Sequence, residues 1–169
     1  MIDDLKYLKL AIEKSQESVE KGFFPAGAVV VQNGKILSSE VSAAFPDYQH
    51  AEIKALNRAF NKVKQSLIDC TLYSSMEPCL MCIATAYWAG IRRVVFAISK
   101  NSLNREYYES DRSIEEIVRC FHEKTDKTAE QFSVSKNSKN FCNIEVIYSK
   151  ELESEAINIV RLWERNNKC

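Results

Sequence analysis

Two short stretches carry residue types that can do chemistry: His50-Ala51-Glu52 and Pro78-Cys79-Leu80-Met81-Cys82. Thiolate sulfur and neutral imidazole nitrogen are the donors that zinc prefers. Cys79 and Cys82 stand at i and i+3, so they share one face if their stretch is helical. A thiolate at a helix N-terminus is favoured by the helix dipole, which lowers the cost of ionising it. His50 supplies a third ligand. Three protein ligands leave the fourth tetrahedral position open, the layout of a catalytic zinc and not of a structural one. Glu52 lies two residues past His50, where it reaches a water on the metal without itself binding the metal. That is the position of a proton shuttle. Each piece alone is ambiguous. A Cys-x-x-Cys pair serves equally as a redox pair or as two core thiols, and a His near a Glu is commonly a surface or core pair. The metal reading rests on their joint occurrence.

The elements that must position these residues follow from periodicity and breakers. Asp3–Glu20 places Leu5, Leu8, Ile12 and Val19 on one helical face, and Gly22 ends it. Ala26–Val31 is an apolar, β-branched strand, Asn33-Gly34 is a hairpin turn, and Lys35–Glu40 is the return strand. Ala43–Gln49 contains Pro46 and reads as a loop. The spacing predicts a helix over His50–Phe60, a strand over Cys70–Ser74, a helix from Pro78 to Ala89 stopped by Gly90, and a strand over Arg93–Ile98. Ser113–Phe121 has helical spacing; a strand (Cys142–Tyr148) and a helix (Leu152–Arg165) complete the chain. The 25 residues between Glu52 and Pro78 suit one helix, a loop and one strand, so both helix starts can reach the same end of a sheet. The order predicts an α/β fold: a three-layer α/β/α sandwich on a central five-stranded mixed sheet.

The chain has 169 residues, one domain's worth, read as a single domain over 1–169 with a polar insertion at about 123–140. Hydrophobic residues make up 46% and charged residues 27%, ordinary for a soluble globular domain. With 23 basic and 23 acidic residues there is no global field to attract nucleic acid. No signal peptide is visible in Met1-Ile2-Asp3-Asp4, and the longest apolar run, Ala26–Val31, is far too short to span a membrane. A cytoplasmic location with reduced thiols at Cys70, Cys120, Cys142 and Cys169 is therefore expected. His122 follows the apolar positions of its helix and reads as a surface residue. Glu77 reads as a solvated or helix-capping residue.

His-x-Glu followed by Pro-Cys-x-x-Cys is the signature of zinc nucleobase deaminases, and the chain resembles the cytidine-deaminase-like superfamily, in particular its purine and tRNA-adenosine branch. The resemblance covers about Lys9–Ile98, through Pro25-Ala26-Gly27-Ala28-Val29-Val30-Val31 with the Asn-Gly hairpin, His50–Leu56, Leu72–Cys82 and Arg93-Val94-Val95-Phe96. It implies one zinc per chain held by His50, Cys79 and Cys82. It implies hydrolytic removal of an exocyclic amine, with Glu52 taking a proton from the attacking water and delivering it to the ring nitrogen and the departing ammonia. It also implies a homodimer. The motif is specific for deamination and silent on substrate.

Departures from bacterial guanine deaminases and tRNA adenosine deaminases fall where those relatives contact the base. Ser42 stands where they resemble each other in carrying an Asn, and a hydroxyl offers less than an amide's donor–acceptor pair. Ala26 replaces a bulky residue between the Pro and Gly of the first strand. The loop Ala44-Phe45-Pro46-Asp47-Tyr48-Gln49 is shorter than theirs. Ala86-Tyr87-Trp88-Ala89 looks like the Tyr-Trp-Ala run of guanine deaminases, which makes Trp88 a candidate wall of the base pocket, with a core position as the plainer reading. Asp111 falls where guanine deaminases carry an acidic pair, and could accept from a purine N–H; capping the helix at Ser113 is the plainer alternative. Residues 104–119 hold three basic and five acidic residues, and Lys150–Cys169 hold four of each. That weakens a tRNA reading, since RNA binding needs phosphate contacts. The expected substrate is a small purine base or nucleoside of the guanine type. A tRNA adenosine, a cytosine-type pyrimidine and a non-catalytic zinc module for interaction are the alternatives.

Overall fold

The computed structural model describes residues 3–121 and 144–167. The elements run α1 (Asp4–Glu20), β1 (Gly27–Gln32), β2 (Lys35–Val41), α2 (Ala51–Val63), β3 (Cys70–Ser74), α3 (Leu80–Ala89), β4 (Arg93–Phe96), α4 (114–121), β5 (Glu145–Tyr148) and α5 (Glu153–Asn166). Two single 3-10 turns, Lys100–Ser102 and Arg105–Tyr107, lie between β4 and α4. The strands form one mixed sheet in the order β2-β1-β3-β4-β5. β1 pairs antiparallel with β2 and β3, whereas β3, β4 and β5 run parallel. This is the expected α/β architecture. Residues 123–140, His122, Cys142 and Cys169 lie outside the described residues.

Neighbouring residues of β3 show how the layers divide. Tyr73 sends its hydroxyl to Asp4 of α1, donating at 2.7 Å. Ser74 sends its hydroxyl the other way, to Glu52 of α2, at 2.8 Å. Strand side chains alternate between faces, so α1 and α2 lie on opposite sides of the sheet. α5 packs beside α1 and α3 beside α2. The core between the layers is aliphatic: Leu8, Ile12, Val29, Leu56, Leu72, Ile83 and Val94 are at most 2% exposed.

The turn chemistry is local. Asn33 (φ 48°) and Gly34 (φ 78°) take the paired left-handed conformation of a two-residue hairpin. Gly27 is needed for a different reason: a Cβ there would lie 2.2 Å from the Ala11 carbonyl oxygen, so α1 approaches β1 more closely than any side chain allows.

Two of the boundaries that shift bear on the site. Pro78 is not the first residue of α3; Cys79 is the N-cap, with extended φ −68° and ψ 172°. β4 stops at Phe96, and the chain then turns back to the loop between β3 and α3, where the Ile98 carbonyl accepts from the Glu77 N–H at 2.7 Å.

Candidate metal centre and active site

Both chemical stretches sit at the start of a helix. His50 is the N-cap of α2 (φ −59°, ψ 154°) and Cys79 the N-cap of α3. Neither side chain caps its own helix with a hydrogen bond. An N-cap side chain normally folds back toward the third helical residue. In α3 that residue is Cys82, and the two sulfurs meet at 3.5 Å. The pair thus meets across an N-cap and the first turn, where continuous helix was expected. The β1–β3 pairing places the C-terminal end of β3 next to the start of β1, and the chain leaves β3 directly into the ligand loop.

His50 Nδ1 lies 3.5 Å from Cys79 Sγ and 3.4 Å from Cys82 Sγ. A tetrahedral zinc with ordinary bond lengths separates its ligand atoms by roughly 3.6 Å (S to N) and 3.8 Å (S to S). The three donors therefore stand near the edge lengths such an ion requires, and all ligand atoms fall within 4.8 Å of one another. Their protonation differs from group to group. A hydrogen bond from the Cys82 thiol is the main influence holding Cys79 down to about 6 against burial, and His50 adds to it. The Cys79 sulfur holds the His50 imidazole up at about 9. Cys82, bonded to Cys79 and deeply buried, keeps its proton far above the usual thiol range. A metal ion bound here would release the protons of His50 and Cys82, since only a neutral imidazole and a thiolate ligate.

Glu52 is 3% exposed, in the first turn of α2. Its Oε1 accepts from the Ser74 hydroxyl at 2.8 Å, and its Oε2 lies 3.6 Å from Cys82 Sγ. One oxygen is fixed while the other faces the donor trio. A cleft opens onto this group, lined by Phe24, Ala26, Ser42, Met76, Glu77, Tyr107 and Tyr108 besides His50, Glu52 and Cys79. A water-sized sphere has about 20 Å³ of room inside it, roughly one sphere's worth. Phe24 belongs to a cluster of four rings. It stacks on Phe45 at 5.1 Å and meets Tyr107 at 5.1 Å and Trp163 at 5.3 Å, both edge-on.

Of the residues singled out in the sequence, the structure brings together His50, Cys79, Cys82, Glu52, Ala26 and Ser42. Ala26 and Ser42 are neighbours across the β1–β2 start, where the Ser42 N–H donates to the Ala26 carbonyl at 3.0 Å. It does not bring Trp88 or Asp111 to the cleft. Trp88 projects from α3 and is 77% exposed, because six residues past Cys82 at about 100° each leave it roughly 120° round the helix from that buried side chain. Asp111 is exposed, 4.0 Å from Arg105. The cap of α4 is Ser113, which exchanges bonds with Glu116 at 2.8 and 3.2 Å in a reciprocal box. Glu77 is buried, not solvated, and the helix starts that it caps are not its own.

Several residues escaped the sequence reading. Tyr107 and Tyr108 come from an irregular segment with no period. Phe24 precedes β1 in a stretch with no motif. Glu109 Oε1 accepts from the Met81 N–H at 3.2 Å and so covers the start of α3 from outside. Ser74 alone had a signal, as the last residue of a strand whose alternation sets it opposite Tyr73.

The family model for the cytidine and deoxycytidylate deaminase zinc-binding region matches residues 1–98. A probable cytosine deaminase of Schizosaccharomyces pombe is 38% identical over 103 residues, 59% of this chain and 63% of that protein. The guanine deaminase of Bacillus subtilis is 32% identical over 149 residues, covering 81% of this chain and 94% of that one. A solved structure from studies of A-to-I editing by tRNA:A34 deaminases superposes with a TM-score of 0.62 at 22% identity, over 92% of this chain and 99% of that one. At that identity the superposition speaks for the fold alone. His50, Cys79, Cys82 and Glu52 all fall inside the matched region, and the chain belongs to the family that carries the cytidine and deoxycytidylate deaminase zinc-binding region.

Proposed function

We propose that the protein is a zinc-dependent hydrolytic deaminase of free amino-substituted nucleobases, with a guanine-type purine as the preferred substrate. The observation that carries this reading is the placement of a buried carboxylate, one oxygen pinned by Ser74, beside a His-Cys-Cys trio at the foot of an aromatic cleft. His50, Cys79 and Cys82 would hold the zinc, which would supply an activated water for the attack. Glu52 Oε2, facing the trio, is the group placed to take up a proton there and to deliver it to the ring nitrogen and then to the departing ammonia. Ser74 keeps Oε1 occupied, so a single oxygen does the carrying. Phe24, Tyr107 and Tyr108 offer faces on which a flat heterocycle stacks. The four-ring cluster and the balanced charge favour a free base over a nucleotide within folded RNA. The match to the B. subtilis guanine deaminase along nearly all of that protein supports the purine choice.

A cytosine-type substrate is the second reading, favoured by the narrowness of the cleft and by the S. pombe relative. Ammonia release from guanine, adenine, cytosine, their nucleosides and a wobble-adenosine tRNA stem-loop decides. Guanine is expected to be the fastest. Faster release from cytosine would install the second reading, and much faster release from the tRNA would replace both. Zinc-loaded protein inert toward the whole panel would point to an interaction module.

A further inference from the structure

Glu77 stands directly before the Pro78–Cys79 ligand loop, and the chemistry above gives it no task. It is 5% exposed, and acidic side chains are seldom buried unless partnered. Its Oε2 accepts from the Lys100 N–H at 3.0 Å and from the Ser99 hydroxyl at 3.4 Å. Its Oε1 accepts from the Ile114 N–H at 3.2 Å. These two amides open the 3-10 turn at Lys100 and helix α4, so one carboxylate holds two helix starts from the loop between β3 and α3. Its main-chain carbonyl accepts from the Tyr108 hydroxyl at 3.0 Å.

Between the two held amides runs the segment that carries Tyr107 and Tyr108 into the cleft and Glu109 onto α3. The segment is also drawn in on itself, because the Lys100 ammonium donates inward to the carbonyls of Ser110 and Arg112. Both of its ends and its central tyrosine therefore hang on Glu77. Glu77 in turn is only two residues from the ligand Cys79.

We propose that Glu77 is a positioning residue that sets substrate specificity: by fastening segment 99–114 to the ligand loop it fixes how far the Tyr107–Tyr108 wall stands from Glu52 and the metal ligands. Glu77 borders the same cleft, but its carboxylate oxygens are committed to Ser99, Lys100 and Ile114. This rests on the free-base reading given above. A purely structural Glu77 would lower the number of folded molecules and scale activity toward every substrate alike. The ratio of kcat/KM for two substrates cancels that number and reports only the shape of the site.

The test compares zinc-loaded wild type, Glu77→Gln and Tyr108→Phe for kcat and KM on guanine and on cytosine, with zinc content measured in each. In Glu77→Gln an amide N–H₂ replaces one acceptor and faces a donor. The guanine-to-cytosine ratio is expected to move by about tenfold, chiefly through KM, with zinc retained. Tyr108→Phe removes only the hydroxyl link to the Glu77 carbonyl and should move the ratio in the same direction by less. An unchanged ratio in both variants overturns the proposal. If Glu77→Gln does not fold, the Tyr108→Phe ratio alone decides. Should the wild type deaminate neither base, the substrate reading fails by itself, and amide exchange judges Glu77. Exchange over 99–114 must then quicken in Glu77→Gln while exchange in β3 stays slow. Unaltered exchange over 99–114 would overturn the proposal.

Discussion

Glu52 has one carboxylate oxygen committed to Ser74 and the other turned to the Cys82 sulfur. That division yields two separable expectations. Replacing Glu52 by Ala should leave zinc and fold intact and lower turnover on the order of 10²-fold or more, the loss of a positioned acid–base group. Replacing Ser74 by Ala keeps the carboxylate but frees Oε1, and about a tenfold fall in kcat with unchanged zinc is expected from a mispositioned proton carrier. Near-wild-type ammonia release by Glu52→Ala would assign the shuttle elsewhere. The ligand trio has its own check. We propose one zinc per chain, so elemental analysis should give about one equivalent in the wild type and little in His50→Ala or Cys82→Ala, because two ligands no longer complete the site.

At the scale of elements, α1 is fastened to the sheet at one end and pressed against it along its length. Arg93 of β4 donates to both oxygens of Asp4, at 2.8 and 2.7 Å, and Tyr73 adds a third bond. The Arg93 hydrogen bond, against the opposing effect of burial, holds the Asp4 carboxyl below its ordinary 3.8. The folded state then binds fewer protons than the unfolded one in that range. The link therefore stabilises fully above pH 3.8 and is lost as pH falls through the lowered value. Asp4→Asn should cost about 1 kcal/mol near neutral pH, discounted for partial exposure. Its denaturation midpoint should fall less steeply than the wild type's as acid is added. Equal acid limbs in the two proteins would show that the pair does not contribute. Where β1 meets the same helix, Gly27→Ala would set a Cβ 2.2 Å from the Ala11 carbonyl and 2.4 Å from the Ser15 nitrogen. Backbone cannot yield as a side-chain tip can, so a loss of about 1–3 kcal/mol is expected in chemical denaturation.

For the whole molecule, the faces of α3 have opposite fates. Cys82, Ile83 and Ala86 are buried, while Leu80 is 41% and Trp88 77% exposed on the outer side. We propose a homodimer in solution, on the strength of the family resemblance. Light scattering at micromolar protein should give twice the mass of one chain, and a monomer would refute it. Among the described residues no helix is long and apolar enough to cross a membrane.

What the sequence by itself determined were the features whose causes are local. Donor and acid–base chemistry follow from residue type, so His50, Cys79 and Cys82 as candidate ligands and Glu52 as candidate proton carrier were legible at once. The hairpin followed from Asn33-Gly34, and the helices and strands from periods of 3.6 and 2. Tertiary structure decided what depends on distant segments meeting. Ser74 became a partner of Glu52 because β3 ends beside the start of α2. The cleft wall came from Phe24, Tyr107 and Tyr108, which no period or motif connects. Glu77 passed for a solvated residue because its partners, Ser99, Lys100, Tyr108 and Ile114, lie 22 to 37 residues onward. Trp88 and Asp111 were chosen by counting along relatives, but counting fixes position in the chain and not the direction a side chain takes. That direction is set by which face of α3 packs on α2 and by where the segment after β4 is held, and both are properties of the packed molecule alone.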